Sequence, residues 1–134
     1  LRENHRLAVL AEPTCDPEGI ERIQAVRSSA VAGLYALSPG ARPVSAIEDV
    51  GVPAELLPEY LTKVQEILRS LDLTGSLLVH VLTGQVHARP LLDMNLPSDR
   101  EKLWPLAEAV HALAISLGGT VSSQHGTGLA RTPW

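Results

Sequence analysis

The 134-residue sequence contains no Phe, one Cys and one Met, and aromatic side chains make up only 3% of it. Leu, Val, Ile and Ala must therefore fill any core. Hydrophobic residues account for 45% of the chain, which is enough for such a core and excludes a disordered chain. The single cysteine, Cys15, cannot form a disulfide within the chain, which favours a cytoplasmic setting.

Charge and hydropathy exclude further classes of protein. Eleven Lys and Arg stand against 15 Asp and Glu, giving a formal net charge of −4 with no basic stripe, so nucleic acid is not a predicted partner. No apolar run approaches the roughly 20 residues of a membrane-spanning helix, and no signal peptide opens the sequence.

The length suits one domain, over residues 1–134. The sequence opens on a polar run without Met and stops on an apolar residue, Trp134. These ends favour a fragment of a larger chain; natural termini left after processing are the alternative.

Hydrophobic periodicity indicates alternating strands and helices. Strands are predicted at residues 7–11, 43–50, 76–81 and 85–91, and helices at residues 17–37, 53–71 and 98–117. A glycine-rich loop follows at residues 120–128, whose backbone can approach a ligand closely. This order predicts an α+β domain with an antiparallel or mixed sheet and helices packed on one of its faces.

Two histidines flank the predicted hairpin turn. If Thr83 and Gly84 form that turn, His80 lies opposite His87, with Cβ atoms about 4.5–5.5 Å apart. Two imidazoles at this distance can hold one divalent ion or grip one anion, and Gln124 with its neighbouring histidine in the glycine-rich loop is the obvious third source of ligands. A bulged turn that separates the pair, or two ordinary surface histidines, are the alternatives.

Two arginines are candidates for binding a substrate carboxylate. Arg27 interrupts an apolar stretch of the first helix, and Arg89 follows two residues after the second hairpin histidine on the same face. Arginine is well shaped to clamp a carboxylate through two hydrogen bonds. Either side chain could instead be solvated or pair with Glu48 or Asp49. The sequence contains no Ser-His-Asp arrangement, phosphate loop, cysteine cluster or dinucleotide fingerprint.

Four ordered segments together resemble one family. They are residues 25–27 (AVR), 42–53 (RPVSAIEDVGVP), 80–93 (HVLTGQVHARPLLD) and 118–131 (GGTVSSQHGTGLAR). They resemble the C-terminal domain of FAD-linked oxidases in the vanillyl-alcohol oxidase superfamily, in particular glycolate oxidase, D-lactate dehydrogenase and relatives fused to iron–sulfur parts.

The resemblance implies a ferredoxin-like α+β cap that faces a flavin and contacts a small 2-hydroxy acid. It implies FAD held mainly by a separate FAD-binding domain of the same chain, a 4Fe–4S cluster in a downstream domain, and attachment of the full-length protein to the inner membrane surface. The isolated chain is then expected to be inactive. The electron acceptor is not indicated.

The resemblance also implies roles for individual residues. It assigns a divalent metal such as zinc or manganese to His80, His87 and Gln124, proton transfer to His125, and the substrate carboxylate to Arg27. Gln124 stands where the family has Glu, so the ion loses a charged ligand and is held less tightly. A non-enzymatic ligand- or metal-binding module on the same fold is therefore the main alternative, with a pure assembly domain as a third.

Overall fold

The computed structural model describes residues 14–37 and 39–134, so the strand predicted at residues 7–11 lies outside the described part. The helices are α1 (Pro17–Leu34), α2 (Leu57–Ser70), α3 (Pro97–Ser116) and α4 (Gly128–Arg131), with a 3-10 turn at Ala54–Leu56. The strands are β1 (Arg42–Pro43), β2 (Val50–Gly51), β3 (Gly75–His80) and β4 (Gln85–Leu92). The predicted α+β class is confirmed. The chain divides into two compact units, Leu1–Gly33 and Leu34–Trp134.

Strand β4 organises the sheet. It pairs antiparallel with β3 along its length, and with the short β1 and β2 at its two ends through the pairs Arg42–Leu92 and Val50–Val86. Most of its side chains are buried as a result. Antiparallel pairing of consecutive strands through a short turn is what the sequence predicted for the hairpin.

The single strand predicted at residues 43–50 is wrong, because only the two ends of that segment pair as strands. Asp49 has a backbone φ of 70°, in the left-handed region, which a continuous strand cannot include. The intervening residues instead form a turn that points Glu48 and Asp49 into the protein, where both are buried.

The hairpin turn is longer than predicted. His80 pairs with Gln85 and Leu78 pairs with His87, so residues 81–84 form the turn. A two-residue turn of the favoured kind needs positive φ at both central positions, and in this turn only Gly84 (φ 69°) provides it. Because the pairing register differs by two residues from the predicted one, the two histidines remain on the same face as diagonal neighbours.

The core lies between the sheet and helices α2 and α3. Its fully buried members include Tyr60 and the branched aliphatic residues Ile47, Val50, Val64, Val86, Leu92, Leu106 and Val110. Burial of each such side chain contributes about 1.5–3 kcal/mol. This packing holds in place the end of the sheet where the hairpin turn contacts β2. The glycine-rich loop is attached to the same end by a backbone bridge between Gly51 and Thr120.

Among the described helices, none is both long and apolar enough to cross a membrane.

Candidate active site

Three histidines from different segments come together at this end of the sheet. His80 ends β3, His87 lies on β4, and His125 lies in the loop before α4. The rings of His80 and His87 meet edge to face with centroids 5.4 Å apart, and those of His87 and His125 are stacked at 5.0 Å. The structure thus brings the two hairpin histidines and the loop histidine into one cluster, which we call the imidazole cluster.

The glycine-rich loop is held by the carboxylate of Asp49, which is fully buried. This carboxylate accepts hydrogen bonds from the backbone N–H groups of Gln124 (3.1 Å) and His125 (2.8 Å). The hydroxyls of Ser122 and Ser123 donate to it at 3.0 Å, as does the side-chain amide of Gln85 at 3.1 Å.

The ionisation of Asp49 follows from these contacts. Burial alone would raise its pKa, but the hydrogen bonds from the backbone of His125 and Gln124 and from Gln85 and Ser123 outweigh burial and hold the pKa well below its usual range. The carboxylate is therefore charged at neutral pH, and it fixes the position of the loop that carries two of the predicted site residues.

Gln124 faces the hairpin. Its side-chain oxygen accepts a hydrogen bond of 3.1 Å from the amide of Gln85, the residue that pairs with His80 on the neighbouring strand. The loop and hairpin therefore approach each other through side chains as well as through the Asp49 carboxylate.

Glu48 is the second buried carboxylate of the site. Its Oε1 accepts a hydrogen bond of 2.5 Å from Arg89 and lies 3.4 Å from Nδ1 of His87. Burial raises the pKa of Glu48, but hydrogen bonds from Arg89 and Ser45 and the positive charge of Arg89 lower it further than burial raises it. Glu48 is therefore a carboxylate anion. The sequence left open whether Arg89 clamps a substrate carboxylate, is solvated, or pairs with Glu48 or Asp49, and the structure shows the ion pair with Glu48.

His87 is the central ring of the imidazole cluster. Its side chain is only 7% exposed, and its Nδ1 makes no hydrogen bond within the described residues. Burial lowers its pKa, with smaller lowering contributions from His125 and His80 that the negative charge of Glu48 opposes. His87 is thus a neutral imidazole near pH 7, and its buried Nδ1 has no partner among the described residues.

The remaining predicted residue, Arg27, lies on α1 within the unit Leu1–Gly33. Its predicted contact with a substrate carboxylate stays a prediction.

Sequence reasoning did not assign Glu48, Asp49 or Arg131 to the site. The guanidinium of Arg131 is buried, donates to the carbonyl oxygens of Glu48 and Gly126, and lies 3.8 Å from Oδ2 of Asp49. One sequence signal could have identified Glu48 and Asp49, because the two acidic residues stand between apolar residues at positions 46–47 and 50. An apolar stretch is buried, and a buried charge needs a partner, so this pattern indicates a paired, buried carboxylate.

Comparison with known proteins finds one family and several relatives that are similar to this chain. Residues 3–134 match the family of FAD linked oxidases, C-terminal domain. The chain is 35% identical over 121 residues to D-2-hydroxyglutarate dehydrogenase of Pantoea ananatis and 33% identical over 126 residues to that of Escherichia coli. These alignments cover 90% and 93% of this chain but 12% of each relative.

A probable mitochondrial D-lactate dehydrogenase of Danio rerio is 30% identical over 116 residues, which are 87% of this chain and 23% of that protein. The chain thus spans about an eighth to a quarter of the length of these relatives. The match to the family nevertheless extends over nearly the whole chain, including every segment that forms the imidazole cluster. The chain belongs to the family of FAD-linked oxidases, C-terminal domain.

Proposed function

We propose that this chain is the substrate-side domain of an FAD-dependent oxidoreductase that oxidises a 2-hydroxy acid to the 2-oxo acid. The observation that carries the proposal is the imidazole cluster, built from a hairpin and a glycine-rich loop that both fall within the family match. The names of the relatives, D-2-hydroxyglutarate dehydrogenase, D-lactate dehydrogenase and glycolate oxidase, share 2-hydroxy acids as substrates.

The chemistry divides between the cofactor and the chain. FAD, held by a separate domain, supplies the two-electron acceptor. The chain contributes a base for the hydroxyl proton, and imidazole is the side chain used most often for that task. The resemblance assigns this role to His125, whose ring is exposed and whose backbone is anchored by Asp49.

A divalent metal fits the chemistry of the imidazole cluster. His87 offers a buried nitrogen without a hydrogen-bond partner in the described structure, and neutral imidazoles suit zinc and manganese-like ions. The resemblance places the ion on His80, His87 and Gln124. When bound, such an ion would polarise the carboxylate and hydroxyl oxygens of the substrate.

Two arginines are proposed to contribute to substrate binding, with different support. For Arg27 the support is the resemblance alone. Arg89 is 23% exposed and already neutralised by Glu48, so any contact with a substrate carboxylate competes with that ion pair. We therefore propose Arg27 as the stronger candidate for the carboxylate clamp.

The test is reduction of the flavin by substrate in the protein produced from its whole coding sequence. We expect a yellow protein whose flavin absorbance is bleached anaerobically by D-2-hydroxyglutarate, D-lactate or glycolate. The L enantiomers of the two chiral acids serve as matched controls. A flavin-loaded protein that none of these acids reduces would overturn the proposed substrate class.

The second candidate is a non-enzymatic metal- or ligand-binding module on the same fold. The observation that favours it is Gln124, a neutral residue whose oxygen is engaged by Gln85. A colourless whole protein that carries stoichiometric metal would support this candidate against the oxidoreductase.

A further inference from the structure

The buried carboxylate of Glu48 faces the imidazole cluster. Oxygen of Glu48 and ring nitrogens of His87 and His125 all lie within 4.8 Å of one another. Neighbouring ligands of one tetrahedral zinc ion, with bonds of about 2.0–2.2 Å, lie about 3.3–3.6 Å apart, so side-chain shifts of up to about an ångström would bring these three atoms to a common ion.

The environment of the three side chains suits a cation. Glu48 and His87 have side chains that are 8% and 7% exposed, and Nδ1 of His87 has no hydrogen-bond partner within the described residues. His125 is exposed and provides a route from solvent. Two imidazoles and one carboxylate form a donor set typical of divalent transition metals, and it leaves positions open for a substrate.

We propose that this chain holds a divalent transition metal on Glu48, His87 and His125, with Glu48 supplying the negative charge that Gln124 lacks. This set differs from the one implied by the resemblance, because Glu48 and His125 replace Gln124 and His80 as ligands. His125 is then not free to act as the base, and His80, whose ring meets His87 edge to face, is the free imidazole beside the ion that takes this role.

The ion pair between Glu48 and Arg89 gives the proposal a distinctive consequence. The guanidinium occupies Oε1 of Glu48 and places a positive charge next to the site, so it opposes binding of a cation. Removing the charge of Arg89 should therefore strengthen metal binding. At water-like screening, the repulsion between charges of +1 and +2 about 6 Å apart corresponds to roughly a tenfold change in affinity.

The experiment is a zinc titration against a chromophoric chelator, repeated with Co²⁺, whose absorption bands report the number of ligands. All variants carry Cys15→Ser, because Cys15 is an exposed thiol that would bind zinc by itself. We expect Glu48→Gln and His125→Ala each to weaken binding by at least about tenfold. We expect His80→Ala and Gln124→Ala to bind nearly as the parent does, and Arg89→Met to bind about tenfold more tightly.

Glu48→Gln leaves the guanidinium of Arg89 partly buried without its partner, which is costly. The double variant Glu48→Gln/Arg89→Met removes both charges. We expect its circular dichroism spectrum to be that of a folded protein, and we expect it to bind zinc more weakly than Arg89→Met does. If this folded double variant binds as tightly as Arg89→Met, Glu48 is not a ligand.

The reverse pattern, in which His80→Ala and Gln124→Ala abolish binding while Glu48→Gln and His125→Ala do not, would assign the ion to the other set and overturn the proposal. A parent protein that binds no zinc at millimolar concentration would also overturn it. The proposal names the metal ligands of the site used by the proposed function. The titration needs no flavin, so its failure is distinct from failure of the flavin-reduction assay.

Discussion

Replacement of Asp49 by Asn tests whether one buried charge holds the glycine-rich loop in place. The change keeps the shape of the side chain, and Asn tolerates the left-handed φ of 70° about as well as Asp does, so backbone strain is not altered. The side chain loses its negative charge and one of its two acceptor oxygens. The NH2 group that replaces this oxygen is itself a donor, and it faces the N–H and O–H groups that donated to the carboxylate.

The expected magnitude follows from the hydrogen bonds. Five groups donate to the carboxylate: the backbone N–H groups of residues 124 and 125, two serine hydroxyls and the amide of Gln85. A hydrogen bond to a charged group contributes about 1.5–3 kcal/mol, so losing about two of them lowers the free energy of unfolding by about 3–6 kcal/mol. That is a large part of the roughly 5–15 kcal/mol typical of a domain.

The assay is urea denaturation followed by tryptophan fluorescence. Asp72→Asn is the matched control, because Asp72 also has positive φ (52°) but is exposed, and we expect its effect to stay within about 0.5 kcal/mol. Protection of the amides of residues 123–125 from hydrogen exchange should fall in Asp49→Asn and not in the control.

The pH dependence has a definite sign. The pKa of Asp49 is lower in the folded protein than the value of about 3.9 in the unfolded chain. The carboxylate therefore contributes its full stabilisation of the folded state above about pH 3.9, and this stabilisation is lost as pH falls toward the folded pKa. The stability gap between the parent and Asp49→Asn should therefore narrow below about pH 4. A gap under 1 kcal/mol at pH 7, or one that does not narrow in acid, would refute the reasoning.

Three further predictions use other parts of the molecule. Gln124→Glu should raise zinc affinity in a chelator titration by adding a negative charge beside the imidazole cluster, and no gain would mean that this side chain does not face the ion. Burial lowers the pKa of both His87 and His111, so the unfolded chain takes up protons more readily as pH falls through the unfolded value of about 6.5. The urea midpoint should accordingly fall between pH 7 and pH 5, and His111→Leu should flatten part of this slope. Gly84→Ala should lower the free energy of unfolding by more than about 2 kcal/mol, because a β-carbon there would lie 1.8 Å from a backbone carbonyl oxygen. Gly118 has a similar φ and open space around it, so Gly118→Ala should lower the free energy of unfolding by only about 1–2 kcal/mol. Equal costs would contradict the steric argument.

The helices and the hairpin were predictable because their signals are local. Apolar residues recur at helical spacing through residues 53–71, and α2 with its preceding 3-10 turn occupies most of that range. The two apolar runs on either side of Thr83 and Gly84 likewise predicted β3 and β4. In each case the signal lies within the segment itself, as helical spacing or as a short apolar run bounded by turn residues.

The segment at residues 43–50 was mispredicted for a non-local reason. Its composition suits a strand, but Asp49 turns the backbone because its carboxylate binds donors 36 to 76 residues away along the chain. No local pattern encodes that choice, since the donors come from the hairpin and the glycine-rich loop.

The sequence by itself determined that His80 and His87 share a face, because alternation along two paired strands survives a register change of two residues. It also identified the loop that brings Gln124 and His125 to the hairpin, through its resemblance to a family. Only the tertiary structure decided that Glu48 and Asp49 are buried beside these residues. A buried charge is stable only where folding supplies its partners, and those partners, Arg89 for Glu48 and the loop amides for Asp49, are adjacent in space but not in sequence.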